Sequence, residues 1–169
     1  EITSSGTWYT NCFAMTVSGD TTTGSGSIAT TLAPSVLEFV PANSATGVAV
    51  SSDIVLKFNT AIRNTNDSDI SSSDLDTLIT LKATNSSGSD IAFSADIDTA
   101  DKVITINPDS NFSSKQVIYV AVSTGVENEC GTALASVASA TFTAADIEGP
   151  THTWSPANSD TGVAVNSNI

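Results

Sequence analysis

The chain contains one segment twice, and this repeat constrains the fold more than any other feature. Residues 41–50 read PANSATGVAV, and residues 156–165 read PANSDTGVAV. Compared over 41–54 and 156–169, the two copies are identical at 11 of 14 positions, at an offset of 115 residues. A period of this size indicates tandem domains with one domain per period. The alternative is a linker motif duplicated within a single domain.

The repeat divides the chain into three expected regions. Residues 1–35 precede the first domain, residues 36–147 form one complete domain, and residues 148–169 are a linker followed by the start of a second repeat. A sandwich cannot close with one or two strands, because they have neither a partner sheet nor a core. We therefore expect the second copy to pair either with the rest of a longer polypeptide or with another molecule.

Residues 36–147 predict an all-β domain. Short apolar runs are separated by turn residues, at the spacing of a β-sandwich of about seven strands. The runs lie at 35–40, 47–50, 53–58, 78–82, 91–97, 102–106, 116–122 and 136–144. Ile54, Leu56 and Phe58 alternate and share one face. In the run 116–122 either Ile118, Val120 and Val122 or Tyr119 and Ala121 face inward, because a central strand can be apolar on both faces.

Two regions outside these runs have their own predictions. Residues 64–76 are long and polar and predict a loop or a short helical turn. At the N-terminus, TWYTNCFAMTV and IATTL flank the turn-rich SGDTTTGSGS, which predicts a β-hairpin. This hairpin is either the end of a preceding domain or a strand that takes part in assembly.

Three motifs carry a family resemblance. The domain opens with PANSATGVAVSSDIVLKF, continues near its end with NFSSKQVIYVAVSTGVENECGTAL and closes with ATFTAAD. These are similar to the start, the penultimate strand with its turn, and the closing strand of bacterial Ig-like domains found in S-layer proteins, large adhesins and secreted multidomain enzymes. The resemblance covers about 36–147 and the restart at 150–169, and it implies an Ig-like β-sandwich.

Two positions in the later motif stand out. Residues 127–131 read ENECG and depart from the turn of the family, with Cys130 inserted and Thr132 where Asn is usual. Tyr119 is placed like the tyrosine corner of Ig sandwiches, whose hydroxyl bonds to upstream backbone. The alternative for Tyr119 is a plain cross-strand aromatic.

The charge of the chain excludes several classes of partner. The net charge is −13, and all five basic residues lie between positions 57 and 115. Such a surface repels nucleic acid and anionic membranes, because both need Lys and Arg to bind. No apolar run approaches the roughly 18 residues of a membrane span. The acidity favours a soluble extracellular protein and can attract divalent cations.

Calcium is the one ligand that the acidic residues suggest. Asp67, Asp69, Asp74 and Asp76, with Asn64 and Asn66, place many hard oxygen donors in one loop, and calcium binds six to eight such oxygens. The spacing fits no EF-hand, since a central Gly and a terminal Glu are missing. A second candidate site is the domain junction, with Asp146, Glu148 and Asp160. The alternative for both is a solvated acidic loop.

Covalent modification has two kinds of candidate. Cys12 and Cys130 lack the local spacing of a metal site. They could form a disulfide that joins the N-terminal hairpin to the sandwich, link neighbouring molecules, or remain as buried thiols. Asn66, Asn85 and Asn111 begin glycosylation sequons, although such triplets arise by chance in a chain rich in Ser and Asn.

The sequence gives little support for catalysis. His152 is the only histidine and falls in the linker region, far along the chain from an obvious nucleophile. Asp96 and Asp98 could imitate a pair of glycosidase carboxylates, but they flank a tight turn, where Asp is favoured for turn chemistry alone. We therefore expect no enzyme and no resident cofactor other than calcium.

Two functions follow from these observations. The first is a non-catalytic extracellular module of a tandem Ig-like surface protein, which acts as a spacer or a building block of a filament or surface layer. Its partners would be adjacent repeats or copies of itself, joined by strand exchange. The second is an accessory or adhesin module that binds calcium or surface glycans, with Trp8, Tyr9 and Trp154 as sugar platforms.

Overall fold

A computed structural model describes residues 32–151 and residue 161 of the chain. The described residues form nine strands and one short helix. In chain order these are β1 (Val36–Val40), β2 (Ile54–Phe58), β3 (Arg63–Asn64), α1 (Ser72–Leu78), β4 (Ile79–Ala83), β5 (Phe93–Ile97), β6 (Val103–Pro108), β7 (Val117–Val122), β8 (Val126–Glu127) and β9 (Ala138–Thr143). The predicted β class is confirmed. The helix α1 begins within the region 64–76, for which the sequence predicts a loop or a short helical turn, and the two-residue strands β3 and β8 are additions.

The strands form two main antiparallel sheets and one small one. The first sheet has the order β1-β2-β6-β5, the second has the order β4-β7-β9, and β3 pairs with β8. Seven of the eight predicted runs each overlap one of the longer strands. The run 47–50 contributes only an isolated parallel bridge between Val48 and Ala144.

One continuous core lies between the two main sheets. Ile54, Leu56 and Phe58 of β2 are all buried in it, as their alternation predicts. On β7 the inward set is Ile118, Val120 and Val122, each 0% exposed, while Tyr119 is half-buried on the other side. Ala121 is also buried, so this central strand is covered on both faces. The structure therefore decides a choice that the sequence left open.

The polar region 64–76 is organised around the start of α1. Ser71 is the N-cap, and its side chain and that of Asp74 form a reciprocal capping box, which satisfies backbone donors that a helix end leaves open. Leu75 and Leu78 bury the inner side of this seven-residue helix against the core. The helix then passes without a gap into β4.

The first copy of the repeated segment changes sheets. β1 pairs with β2 in the first sheet, and beyond Pro41 residues 43–48 run beside β9 of the second. Ser44 N donates to Thr141 O at 2.6 Å, and Val48 N donates to Thr143 O at 3.2 Å. Gly47 has φ +69°, a conformation that glycine adopts at no steric cost. We call residues 43–48 the strand-switch segment.

The structure holds no candidate for a transmembrane helix among the residues it describes.

Candidate functional site

The chain reaches and leaves the sandwich at opposite ends. Asn59, directly after β2, accepts a hydrogen bond from Ser35 N at 2.8 Å and donates from Nδ2 to Ala33 O at 3.0 Å. At the other side, Ala145 N donates to Val48 O at 2.7 Å, and Val48 precedes the first residue of β2 in the chain. The five residues of β2 separate the two places by roughly 17 Å. We call the Asn59 side the upstream end and the Ala145 side the downstream end.

At the upstream end, Asn128 holds the arriving chain. Its side chain donates from Nδ2 to Leu32 O at 3.0 Å, and its Oδ1 accepts from Cys130 N and Thr132 N, each at 2.9 Å. Asn128 is only 5% exposed. One buried amide thus ties Leu32 to the 128–132 loop, and no sequence signal pointed to Asn128 or Asn59.

At the downstream end, Asp146 holds the departing chain. Its carboxylate accepts from Ser114 Oγ at 3.1 Å and from Glu148 N at 3.1 Å, and it lies 2.7 Å from Lys115 Nζ. Ser114 Oγ also accepts from Ile147 N at 3.1 Å. The hydrogen bond with Lys115, followed by the one from Glu148 N, lowers the pKa of Asp146 below its ordinary value. Residues up to Glu148 are therefore fixed to the domain.

An acidic hollow of about 580 Å³ also lies at the upstream end. Two of its lining residues, Ile62 and Asp101, are joined by a hydrogen bond from Ile62 N to Asp101 O at 2.8 Å. Ile62 follows Asn59 by three residues, which places the hollow beside Asn59. Its described lining residues are Ala61, Ile62, Arg63, Asp67, Asp69, Asp101 and Glu129. Partial burial, followed by repulsion from Asp69, Asp98 and Glu129, raises the pKa of Asp101. The hollow therefore disfavours negative charge and favours cations.

Arg63, the one basic residue in that lining, is already engaged. Its Nε donates to Glu127 Oε1 at 3.0 Å, and its guanidinium also pairs with Asp67. Glu127 is 6% exposed, and Glu127 and Asn128 are the buried polar or charged residues of the described part of the chain. Arg63 thus compensates a carboxylate that the fold has removed from water.

The four predicted calcium ligands are used in different ways. Asp67 pairs with Arg63, Asp69 lines the acidic hollow, and Asp76 lies on the exposed side of α1. Asp74 accepts from Ser71 Oγ at 2.6 Å and from Ser71 N at 2.8 Å, and the Ser71 hydroxyl, then the Ser71 backbone, then Asn64 lower its pKa. Among residues 32–151, no group of three or more His, Cys, Asp or Glu side chains is arranged to hold a metal. The calcium site stays a prediction.

The other candidate residues are either exposed or outside the described ranges. Asn66, Asn85 and Asn111 are exposed, so glycosylation stays a prediction there. Cys130 is disulfide-bonded, whereas Cys12 lies outside the described residues, and their pairing stays a prediction. Also outside them are Trp8, Tyr9, His152, Trp154 and Asp160.

The neighbours of Asp96, Asp98 and Tyr119 show how the fold uses each of them. Asp98 accepts from Lys102 N at 2.8 Å and from Val103 N at 2.9 Å, which lowers its pKa and closes the turn before β6. Asp96 is exposed on β5. Tyr119 lies opposite Lys82 on β4 and Thr141 on β9, which favours the plain cross-strand interpretation.

The sequence profile of the bacterial Ig-like domain family matches residues 30–144. No curated protein sequence matches the chain.

Similar solved structures include CopC from Methylosinus trichosporium OB3b, at 12% identity and a TM-score of 0.47, over 70% of this chain and 99% of that one. Domains 1–6 of the surface layer protein SbsC give 11% identity and a TM-score of 0.47, over 68% of this chain and 14% of that one. The LD transpeptidase LdtMt1 in complex with imipenem gives 17% identity and a TM-score of 0.41, over 66% of this chain and 40% of that one. Similarity at this level says nothing about the activity of this chain.

Proposed function

Because the chain belongs to the bacterial Ig-like domain family, we propose that it is a non-catalytic structural module of a surface or secreted protein, in which it spaces neighbouring domains apart. One observation carries this proposal. The chain reaches and leaves the sandwich at opposite ends and is hydrogen-bonded to the body of the domain at both. A module of this kind adds a fixed length to an array.

The uses of the acidic residues support the absence of catalysis. Asp74 caps a helix, Asp98 closes a turn and Asp146 holds the departing chain. A general acid or base instead needs a carboxylate turned toward a substrate site. Asp101, whose pKa is raised, lies in a hollow whose other charged lining groups are Arg63 and three carboxylates.

The spacer proposal is tested by the distance between the two ends. Dyes placed at positions 35 and 147 through unnatural amino acids should give one narrow energy-transfer distribution in the full chain. Asp146→Ala should broaden it, because the departing residues lose their acceptor. Asp90→Ala is the matched control, since it removes an ion pair with Lys82 but leaves the bonds of Asn59, Asn128 and Asp146 in place. A broad distribution in the unmodified chain would show that the ends are loose and would contradict the proposal.

Assembly with neighbouring chains would use β1, which has β2 as its one partner strand among the described residues. The other edges of the main sheets are at least partly covered: the strand-switch segment lies along β9, residues 89–91 bond to β4, and α1 packs against β5. Leu37 is 69% exposed and Val40 is 41% exposed on β1. An edge strand with exposed apolar side chains is a template for another strand.

This assembly is tested by measuring mass against concentration with light scattering. Leu37→Lys should reduce any self-association of the full chain, since a lysine on an edge strand opposes pairing. Val137→Lys is the control, because Val137 is 56% exposed but precedes β9. Equal effects of both substitutions would assign the association to general surface hydrophobicity and not to β1.

Calcium binding is the second candidate function, and the acidic hollow favours it. Thermal unfolding of the full chain in CaCl₂ should then occur at a higher temperature than in MgCl₂ or NaCl of equal ionic strength, because a ligand stabilises the state that binds it. The double variant Asp69→Asn/Asp101→Asn should lose the calcium effect, whereas Asp90→Asn should keep it. Equal shifts in all three salts would indicate charge screening only.

A further inference from the structure

The first and last segments of the domain lie side by side. Four backbone hydrogen bonds and one that a backbone N–H donates to a side chain join the strand-switch segment to β9 and to Ala145, two residues beyond it. Thr143 N donates to Ala45 O at 2.8 Å, and Asn43 Oδ1 accepts from Thr141 N at 2.9 Å. These complete the bonds of Ser44 and Val48 described above. The pairing is parallel, as the bridge between Val48 and Ala144 shows.

Parallel pairing decides how these bonds respond to tension. Tension along the polypeptide pulls the strand-switch segment toward the upstream end, because it is connected to the arriving chain. The same tension pulls β9 toward the downstream end, because the departing chain follows β9 through Ala144 and Ala145. The two segments are therefore pulled in opposite directions along a common axis. The five hydrogen bonds between them share this force, since none can open before the segments slide.

We propose that the strand-switch segment and β9 form a mechanical clamp, which resists unfolding when the domain is stretched between its two ends. The inference rests on the proposed spacer function, because only a domain within an array experiences tension along its chain. It assigns a role to the repeated segment that a spacer alone does not require.

The second copy of the repeat retains the residues that build the clamp. Asn43, Ser44, Gly47 and Val48 have identical counterparts at Asn158, Ser159, Gly162 and Val163. The copies differ at positions 45, 51 and 53. Ala45 contributes only its backbone carbonyl to the clamp, and every amino acid carries that group. The repeat therefore preserves the one side chain that the clamp uses, that of Asn43, and varies only at positions that contribute no side chain to the clamp.

The test is single-molecule stretching of the full chain with handles at positions 35 and 147. These positions leave any bond of Cys130 outside the path of the force. Asn43→Ala removes the acceptor of Thr141 N, and Val48→Pro removes the donor to Thr143 O. Each should unfold roughly five- to tenfold faster than the unmodified chain at the same tension, since a lost hydrogen bond lowers the barrier directly.

Each variant has a matched control that removes one bond of the same kind elsewhere. Asn85→Ala deletes the acceptor of Ser87 N, and Ile91→Pro deletes the donor to Leu81 O. Urea unfolding of all four variants measures how much free energy of unfolding each substitution removes. The unfolding rates under tension are then compared between variants that lose the same free energy. Larger acceleration by the clamp variants supports the proposal, and Asn43→Ala alone suffices if Val48→Pro does not fold.

Acceleration by the controls that matches that of the clamp variants would overturn the clamp while leaving the spacer function intact. Failure of the spacer function would instead appear as a broad distance distribution between positions 35 and 147 without tension. The two failures are therefore distinguishable.

Discussion

Glu127 shows how one buried charge can depend on one partner. It is 6% exposed and accepts from Arg63 Nε at 3.0 Å. Arg63→Met should lower the free energy of unfolding by about 2–4 kcal/mol, because it leaves a buried carboxylate without its counter-ion. Urea unfolding measures the loss, and the double variant Arg63→Met/Glu127→Met should recover much of it.

The exposed pair of Lys57 and Glu38 provides the comparison. Its Nζ–Oε2 distance is 2.7 Å, and both side chains are about half exposed, at 49% and 51%. Lys57→Met should change the free energy of unfolding by no more than about 1 kcal/mol, because water screens such pairs. An equal loss from Lys57→Met and Arg63→Met would contradict the importance of burial.

Two acids should give opposite responses to pH. The lowered pKa of Asp98 means that its bonds stabilise the fold above the unfolded pKa of about 3.9, and that this stability is lost as pH falls through the folded pKa. The raised pKa of Asp101 means the reverse: its contribution is present below about 3.9 and is lost as pH rises through the folded pKa.

Asn substitutions separate these responses. At pH 7, Asp98→Asn should lower the unfolding temperature and Asp101→Asn should raise it. Both differences should shrink as the pH falls and the replaced carboxylates become protonated, and the Asp101 difference should shrink at a higher pH than the Asp98 difference. Differences that do not depend on pH would show that charge is not their cause.

At the scale of elements, α1 depends on its N-cap. Ser71→Ala removes the side-chain acceptor of Asp74 N and half of the capping box, and it should cost about 1 kcal/mol in the free energy of unfolding. Ser86→Ala, at an exposed turn position, is the control and should have little effect. Chemical denaturation measures both, and equal losses would show that the cap contributes nothing particular.

The strands of this protein follow from sequence far better than its helix. Alternation placed Ile54, Leu56 and Phe58 in the core, because a half-buried strand has a period of two. The region 64–76 has no such period, yet Ser71 followed by Asp74 is a form of capping-box signal that could have located the start of α1. β3 and β8 have two residues each, too few for any periodicity.

The candidate site could be predicted only in part. The sequence identified Asp67, Asp69, Asp74 and Asp76 as one acidic group, but their partners come from distant positions. Asp69 faces Asp101 and Glu129 across the hollow, whereas Asp74 turns toward its own helix. Such partners depend on how β6 and the 128–132 loop reach the upstream end, and no local pattern contains that information.

At the scale of the whole molecule, a disulfide bond between the two cysteines should affect the stability of the complete chain. If Cys130 pairs with Cys12, the bond closes a loop of more than a hundred residues and stabilises the fold by about 4–5 kcal/mol in the chain-entropy model. Reductant or Cys12→Ser should then lower the free energy of unfolding by this order. A gel run without reductant should show a monomer, and a covalent oligomer would assign the bond to neighbouring molecules.

The bonds around Asp146 have a consequence for rotation as well as length. Three groups (the Ser114 hydroxyl, Lys115 Nζ and Glu148 N) contact its carboxylate from different positions. They fix the direction in which the chain departs and also its angle about the long axis of the domain. A twist applied to this domain would therefore be carried along the departing chain as far as Glu148, so that a following module would receive its starting orientation from the loop that contains Ser114 and Lys115.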